Sequence, residues 1–272
     1  MEIVSLGYRT DIALLERGGS SVEHHGDHVV VRSPNNPTFW WGNFLLVADD
    51  AAARDADRCL ERFADAFPAA RHVAIGFDGT RGQASDLAAY VDAGLTVEES
   101  AVMTARSVHP PPRPNTDATY RQLTSDDDWA QSVELRVACN EDGLEPVRYR
   151  EFAVDRTATS RELSDAGHGG WFGAFLDDRL VSQMGLVAAS PGLARFQSVE
   201  THPDVRGRGL AGTLVHHVSR YGFGELGAQT LVMVADPAYL AIRVYRSVGF
   251  AVSETQLGVQ RRPPEDTPGR PR

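Results

Sequence analysis

The run from Val199 to Leu214 carries residue types whose spacing suits the binding of an anion. An extended stretch, Phe196 to Thr201, is halted at Pro203. Arg206, Gly207, Arg208, Gly209, Leu210 and Ala211 then open a helix with Leu210, Leu214, Val215, Val218 and Tyr221 on its apolar face. A strand, a glycine-rich turn and a helix start gather backbone N–H groups around one point, where the helix dipole favours negative charge. Gly207 and Gly209 let the backbone approach a bulky phosphate with no Cβ in the way. The run reads as a pyrophosphate cradle.

Two better-known phosphate loops fit less well. The Walker loop ends in Gly-Lys-Ser/Thr, whereas all 27 Lys+Arg residues of this chain are arginine. The dinucleotide fingerprint Gly-x-Gly-x-x-Gly matches Gly207, Gly209 and Gly212 by spacing, but it needs a second strand carrying an acidic residue farther on. The candidate for that residue, Glu225, follows Gly222 and Gly224 at a helix end instead.

Arg-x-x-Gly-x-Ala at Arg206, Gly209 and Ala211 resembles the coenzyme A signature of the GCN5-related N-acetyltransferase (GNAT) superfamily. The downstream sequence agrees. Thr230–Ala235 reads as a buried strand, and Asp236 with Pro237 is a strong helix start. That helix carries Leu240, Ala241, Val244, Tyr245 and Val248 on one face and stops at Gly249. Its end, from Ala241 through Tyr245 to Gly249 and Phe250, is similar to the Ala-x-x-x-Tyr-x-x-x-Gly-Phe pattern that closes the same fold.

The resemblance implies an α/β (α+β) fold with mixed, largely antiparallel sheets flanked by helices, and an acetyl-CoA-dependent N-acetyltransferase acting on the amine of a small molecule or peptide. In such a fold the strand at Val199, Glu200 and Thr201 is splayed, so that its main chain binds the pantetheine arm and the acyl oxygen. The stretch Arg206, Gly207, Arg208, Gly209, Leu210, Ala211 and Gly212 holds the pyrophosphate. Tyr245 matches the position that serves many members as general acid to the departing thiolate; the competing reading is a core aromatic, as expected for Tyr90. No carboxylate stands at Arg195, Phe196 or Gln197, where many members carry a glutamate. Glu200 is the nearest candidate base, against a surface or ion-paired glutamate, and alternation alone leaves its face open. His202 is a weaker candidate beside the turn. Ala238 stands where an asparagine is common. The acceptor is expected near the connection between the first two helices, where Asn140 and Glu141 could meet a cationic amine or form a plain polar turn. A non-catalytic acyl-CoA-binding or sensory module and a donor with a longer acyl chain are the rival readings.

Composition narrows the setting. The 272 residues suit one large domain or two modest ones, and the net charge of -10 argues against nucleic-acid partners and anionic membranes. Neither a signal segment nor a membrane-length apolar run is expected, so a cytoplasmic protein is the default. Cys59 and Cys139 have no metal spacing, and His24, His25, Asp27 and His28 sit at a glycine turn without a further ligand motif, so no metal is expected. The aromatic segment Phe39, Trp40 and Trp41 suits packing or ligand stacking.

The elements that must position the site follow from periodicity. Residues 106–117 form a proline-rich linker, 118–260 a catalytic domain, and 261–272 a disordered tail. Within the catalytic domain, helices are expected over Asp126–Ala138 and Pro146–Leu163, and a hairpin over Trp171–Leu176 and Arg179–Ala188. Residues 1–105 repeat the order strand, helix, strand, helix, strand, and Tyr90 to Ser100 runs in register with Tyr245 to Thr255. In this first copy the cradle position is taken by Asp49, Asp50, Asp55 and Asp57, which would repel a pyrophosphate. The first copy is therefore expected to shape the acceptor site or form a homodimer surface.

Overall fold

The computed structural model describes residues 1–37, 39–49, 51–140, 146–238 and 241–263. Two compact units emerge. The first comprises Met1–Ala101 with the chain from Glu254 onward, and the second Val102–Ser253.

In the first unit, helix α1 (Leu6–Arg17) precedes strands β1 (Ser21–His24), β2 (His28–Arg32) and β3 (Phe44–Ala48). Helix α2 (Ala56–Ala66), strand β4 (Val73–Asp78), helix α3 (Ala88–Asp92) and strand β5 (Thr96–Ala105) follow. β1, β2 and β3 pair antiparallel, while β3 and β4 pair parallel. Strands β2, β3 and β4 are buried on both faces, and alternation divides their side chains. Val30, Leu45, Val73 and Ile75 pack with Phe63 of α2 and Tyr90 of α3. Val29, Val31, Phe44, Leu46 and Ala74 pack with Tyr8 and Ile12 of α1.

The second unit holds strand β6 (Thr119–Gln122), helices α4 (Asp126–Ala138) and α5 (Pro146–Asp165), and strands β7 (Gly169–Leu176), β8 (Arg179–Ser190) and β9 (Leu193–Thr201). Helix α6 (Leu210–Gly224), strand β10 (Thr230–Ala235), helix α7 (Ala241–Arg246) and strand β11 (Ala251–Arg261) complete the order. β6 to β9 form an antiparallel meander, and β10 joins β9 in parallel. The whole is a mixed α/β fold. α4 starts where the sequence places it, because Ser125 and Asp128 form a reciprocal capping box.

Three boundaries differ from the sequence expectation. The chain from Glu254 clusters with the first unit, because β11 pairs antiparallel with β4 from Leu257 to Arg261 and buries Leu257 and Val259 in that unit's core. Residues 106–117 are part of the second unit rather than a spacer: the His109 N–H donates to the Val248 carbonyl, and Asn115 is 9% exposed. Arg261 is the last residue of β11 rather than the start of a tail; residues 264–272 lie outside the described residues.

The expected repeat has local counterparts in both units. α3 and α7 each end in the same pair of backbone bonds. Gly94 and Gly249 donate to Val91 and Arg246, and Leu95 and Phe250 donate to Tyr90 and Tyr245. Both glycines have positive φ, +81° and +113°, and both are followed by a strand.

Candidate active site

The cradle residues lie at the N-terminus of α6. Gly207 and Gly209 both have φ of +77°, the left-handed region that glycine occupies without steric cost. Gly209 is the N-cap and supplies no side-chain hydrogen bond, whereas α2 and α4 are capped by Asp55 and Ser125 side chains. The first N–H groups of this 15-residue helix therefore keep their capacity for an external acceptor. Space is available as well: a Cβ placed on Gly207 would meet nothing within 4 Å.

Each remaining cradle residue has its own place. Arg206, Gly207 and Arg208 are exposed, and the Arg206 Nε donates to the Thr201 carbonyl at 3.1 Å. Leu210 is 1% exposed and packs into the apolar cluster with Ala174 and Val181, so it offers a ligand only its backbone N–H. Ala211 is half-buried, and a Cβ on buried Gly212 would touch Pro111 and Val244. The proline-rich segment braces the turn, since Asn115 Nδ2 donates to the Arg208 carbonyl and its N–H donates to Thr213 Oγ1.

β9 leads into this turn through a bulge. Its pairing with β8 jumps from Gly185 opposite Gln197 to Gln183 opposite Glu200, and Ser198 adopts φ of +49°. The extra residue resets the alternation and turns Glu200 toward α4. There the Glu200 Oε2 accepts from Gln183 Nε2 at 2.5 Å, and Oε1 lies 3.8 Å from Arg136 Nη1. Ser132, one turn before Arg136, donates to Gln183 Oε1 at 2.6 Å. Burial pushes the Glu200 carboxyl above the ordinary glutamate value, against the pull of Arg136, the Gln183 hydrogen bond and Arg156. Val199 and Thr201 are half-buried, and Thr201 Oγ1 hydrogen-bonds to Ser182.

Tyr245 is 5% exposed on α7, with a buried ring. Asn140 follows the end of α4 and is half-buried, while Glu141 lies outside the described residues. His202 caps the turn at Pro203 through its Nδ1, which accepts from the Asp204 N–H. Arg136, Gln183, Ser132 and Ser198 escaped the sequence reading. The available signal was Arg136 itself, a cation on the same buried stripe as Trp129, Ser132 and Leu135.

In the first unit the segment that the sequence sets against the cradle, Ala51–Arg54, is a 3-10 turn running into α2. Asp55 accepts from the Arg58 N–H, so a carboxylate of the chain already sits at that helix start, and Asp49 is paired with Arg54 at 3.0 Å. Asp50 lies outside the described residues. Among the described residues no cluster suits a metal ion, and no helix is long and apolar enough to cross a membrane.

The family model described as Acetyltransferase (GNAT) family matches residues 130–250. No curated protein matches the chain. Among solved structures, a GCN5-related N-acetyltransferase from Kribbella flavida is 17% identical with a TM-score of 0.64, over 94% of this chain and 96% of that one. A functionally unknown conserved protein from Staphylococcus epidermidis is 10% identical with a TM-score of 0.67, over 89% and 93%. A tandem GNAT protein from the clavulanic acid biosynthesis pathway is 15% identical with a TM-score of 0.54, over 94% and 89%. At these identities the likeness concerns the fold, and it extends over both units. Residues 130–250 thus match the acetyltransferase (GNAT) family model, and the fold of the chain is that of GNAT structures.

Proposed function

We propose that the second unit transfers the acetyl group of acetyl-CoA directly to the amine of a small molecule or peptide. The observation that carries this reading is the path of β9, which passes the half-buried Glu200 and leads through the turn at Pro203 to the N-terminus of α6, whose N-cap gives no side-chain hydrogen bond. The N–H groups of Leu210, Ala211 and Gly212, with Arg206 and Arg208 beside them, suit a pyrophosphate in chemistry and in space. Their local charge matters because the chain as a whole carries -10 and repels anions.

Four changes complete the reaction. Glu200 takes a proton from the incoming ammonium, and the amine nitrogen attacks the thioester carbonyl. The carbon–sulfur bond breaks as the amide forms. Tyr245 delivers a proton to the departing thiolate and is restored by the proton that the amide nitrogen gives up, while Glu200 returns its own to water. Main-chain groups of Val199 and Thr201 beside the bulge hold the acyl arm. The first unit has lost the cradle and serves to shape the acceptor site or to pair two copies of the chain. The described cysteines, Cys59 and Cys139, form no disulfide, which suits a reducing cytoplasm.

The reading is tested by measuring free thiol released from acetyl-CoA across a panel of amines. Amine-dependent release supports it. A chain that is stabilised by acetyl-CoA yet releases no thiol with any amine would be a binding module instead.

A further inference from the structure

Arg136 is a buried cation of the second unit. Its side chain is 4% exposed. Its Nη1 reaches both Ser198 Oγ at 3.4 Å and Glu200 Oε1 at 3.8 Å. Its Nε and Nη2, both buried, have no hydrogen-bond partner among the described residues. A buried guanidinium ordinarily spends all its donors, since each unsatisfied one carries its full desolvation penalty.

The two unspent atoms are not an arbitrary pair. Nε–H and one Nη2–H point from the same edge of the planar guanidinium and form its side-on fork, which matches the two oxygens of a carboxylate. Glu200 does not occupy that fork, because it approaches from Nη1 at a distance too long for a hydrogen bond. The surroundings favour an anion as well. Arg156 on α5 is held below its ordinary value by burial and then by the charge of Arg136. Ser132 bonds to Gln183 and Gln183 in turn to Glu200, so both are engaged away from the fork.

We infer that the acceptor is an amino acid with an unmodified carboxylate, held by the side-on fork of Arg136 while its ammonium faces Glu200. This inference rests on the acetyl-transfer reading and names its substrate class. Ammonium and carboxylate of one compact molecule then meet opposite charges on adjacent side chains. An amine lacking the carboxylate leaves the fork buried and unpaired, and is rejected for that reason.

The test uses matched acceptors on the full chain: the protein amino acids and their carboxamides, which keep the amine and lose the charge. With acetyl-CoA and thiol release as the readout, the preferred amino acid is expected to exceed its carboxamide by about 10²-fold in kcat/KM. Arg136→Met, which keeps an unbranched stem in the space, brings that ratio close to one, while stabilisation by acetyl-CoA stays as in wild type. Arg136→Lys keeps the charge without the fork and retains only part of the preference. Carboxamides accepted as well as amino acids by the wild type would overturn the inference and leave acetyl transfer standing. If no acceptor releases thiol, acetyl transfer fails, and thermal stabilisation by the same amino acids in the presence of coenzyme A decides the site. Stabilisation lost in Arg136→Met upholds the carboxylate fork, and no stabilisation by any amino acid overturns it.

Discussion

A Cβ on Gly209 would stand 2.5 Å from the carbonyl oxygen of Arg113, whereas one on Gly207 would meet nothing within 4 Å. The two cradle glycines thus have different duties. Gly209 admits the proline-rich segment, and Gly207 faces open space. A carboxylate at Gly209 would break packing before it repelled a phosphate, so Gly207 is the informative position. Asn and Asp both tolerate the left-handed backbone and differ in charge. Gly207→Asn is expected to keep most of the thermal stabilisation given by acetyl-CoA and Gly207→Asp to lose it, as read from melting curves with and without ligand.

Asp128 ties α4 to β6. Its side chain is 3% exposed, pairs with Arg121 through 2.7 and 2.8 Å bonds, and accepts from the Thr124 and Ser125 N–H groups. The Arg121 hydrogen bonds, opposed by burial and aided by those backbone bonds, hold its carboxyl well below the usual range. Its stabilising contribution is therefore present above the ordinary value of 3.8 and is lost as pH falls through the lowered folded-state value. Asp128→Asn should cost about 2 kcal/mol in urea unfolding at neutral pH, less than a fully buried pair because Arg121 is half-exposed. An unchanged midpoint would show that the backbone bonds alone hold the cap.

Much of this was legible before any coordinates. The bounds of α4 and β10 are those the sequence places, because capping residues and a pure apolar run act locally. α1 gave no such signal: its N-cap Ser5 makes no side-chain capping bond, and Gly7 and Thr10 interrupt the apolar pattern. The return of β11 to the first unit was not legible either, since pairing of Leu257 with Phe77 leaves no mark in either segment alone. At the site, the cradle was visible because glycine is the residue its backbone requires. The face of Glu200 was hidden, because alternation fails across a bulge and nothing in Gln197, Ser198 and Val199 announces one.

Tyr245→Phe keeps the ring in its buried place and removes the hydroxyl alone. If the hydroxyl protonates the thiolate, turnover falls on the order of 10²-fold while acetyl-CoA affinity changes little. Full turnover with a lower melting temperature would identify Tyr245 as a packing residue.

Glu200 must be ionised to accept a proton, and burial raises its pKa above the ordinary 4.5. The acid limb of kcat/KM is therefore expected to fall at a pH above that value, and Glu200→Gln should abolish the limb along with most of the turnover. Linkage gives the matching stability sign. A raised folded-state pKa means a contribution fully present below 4.5 and lost as pH rises through the folded value. The difference in urea midpoint between wild type and Glu200→Gln should move against the wild type over that rise. A limb at or below 4.5 would assign proton removal to another group.

Direct transfer at the second unit is tested most plainly by acetyl-CoA labelled in its acetyl group, incubated with the protein and an amino acid acceptor. The account predicts that label enters the acceptor's amide in step with free thiol, with no labelled protein at any time. Label on the protein, or thiol released without labelled amide, would contradict it.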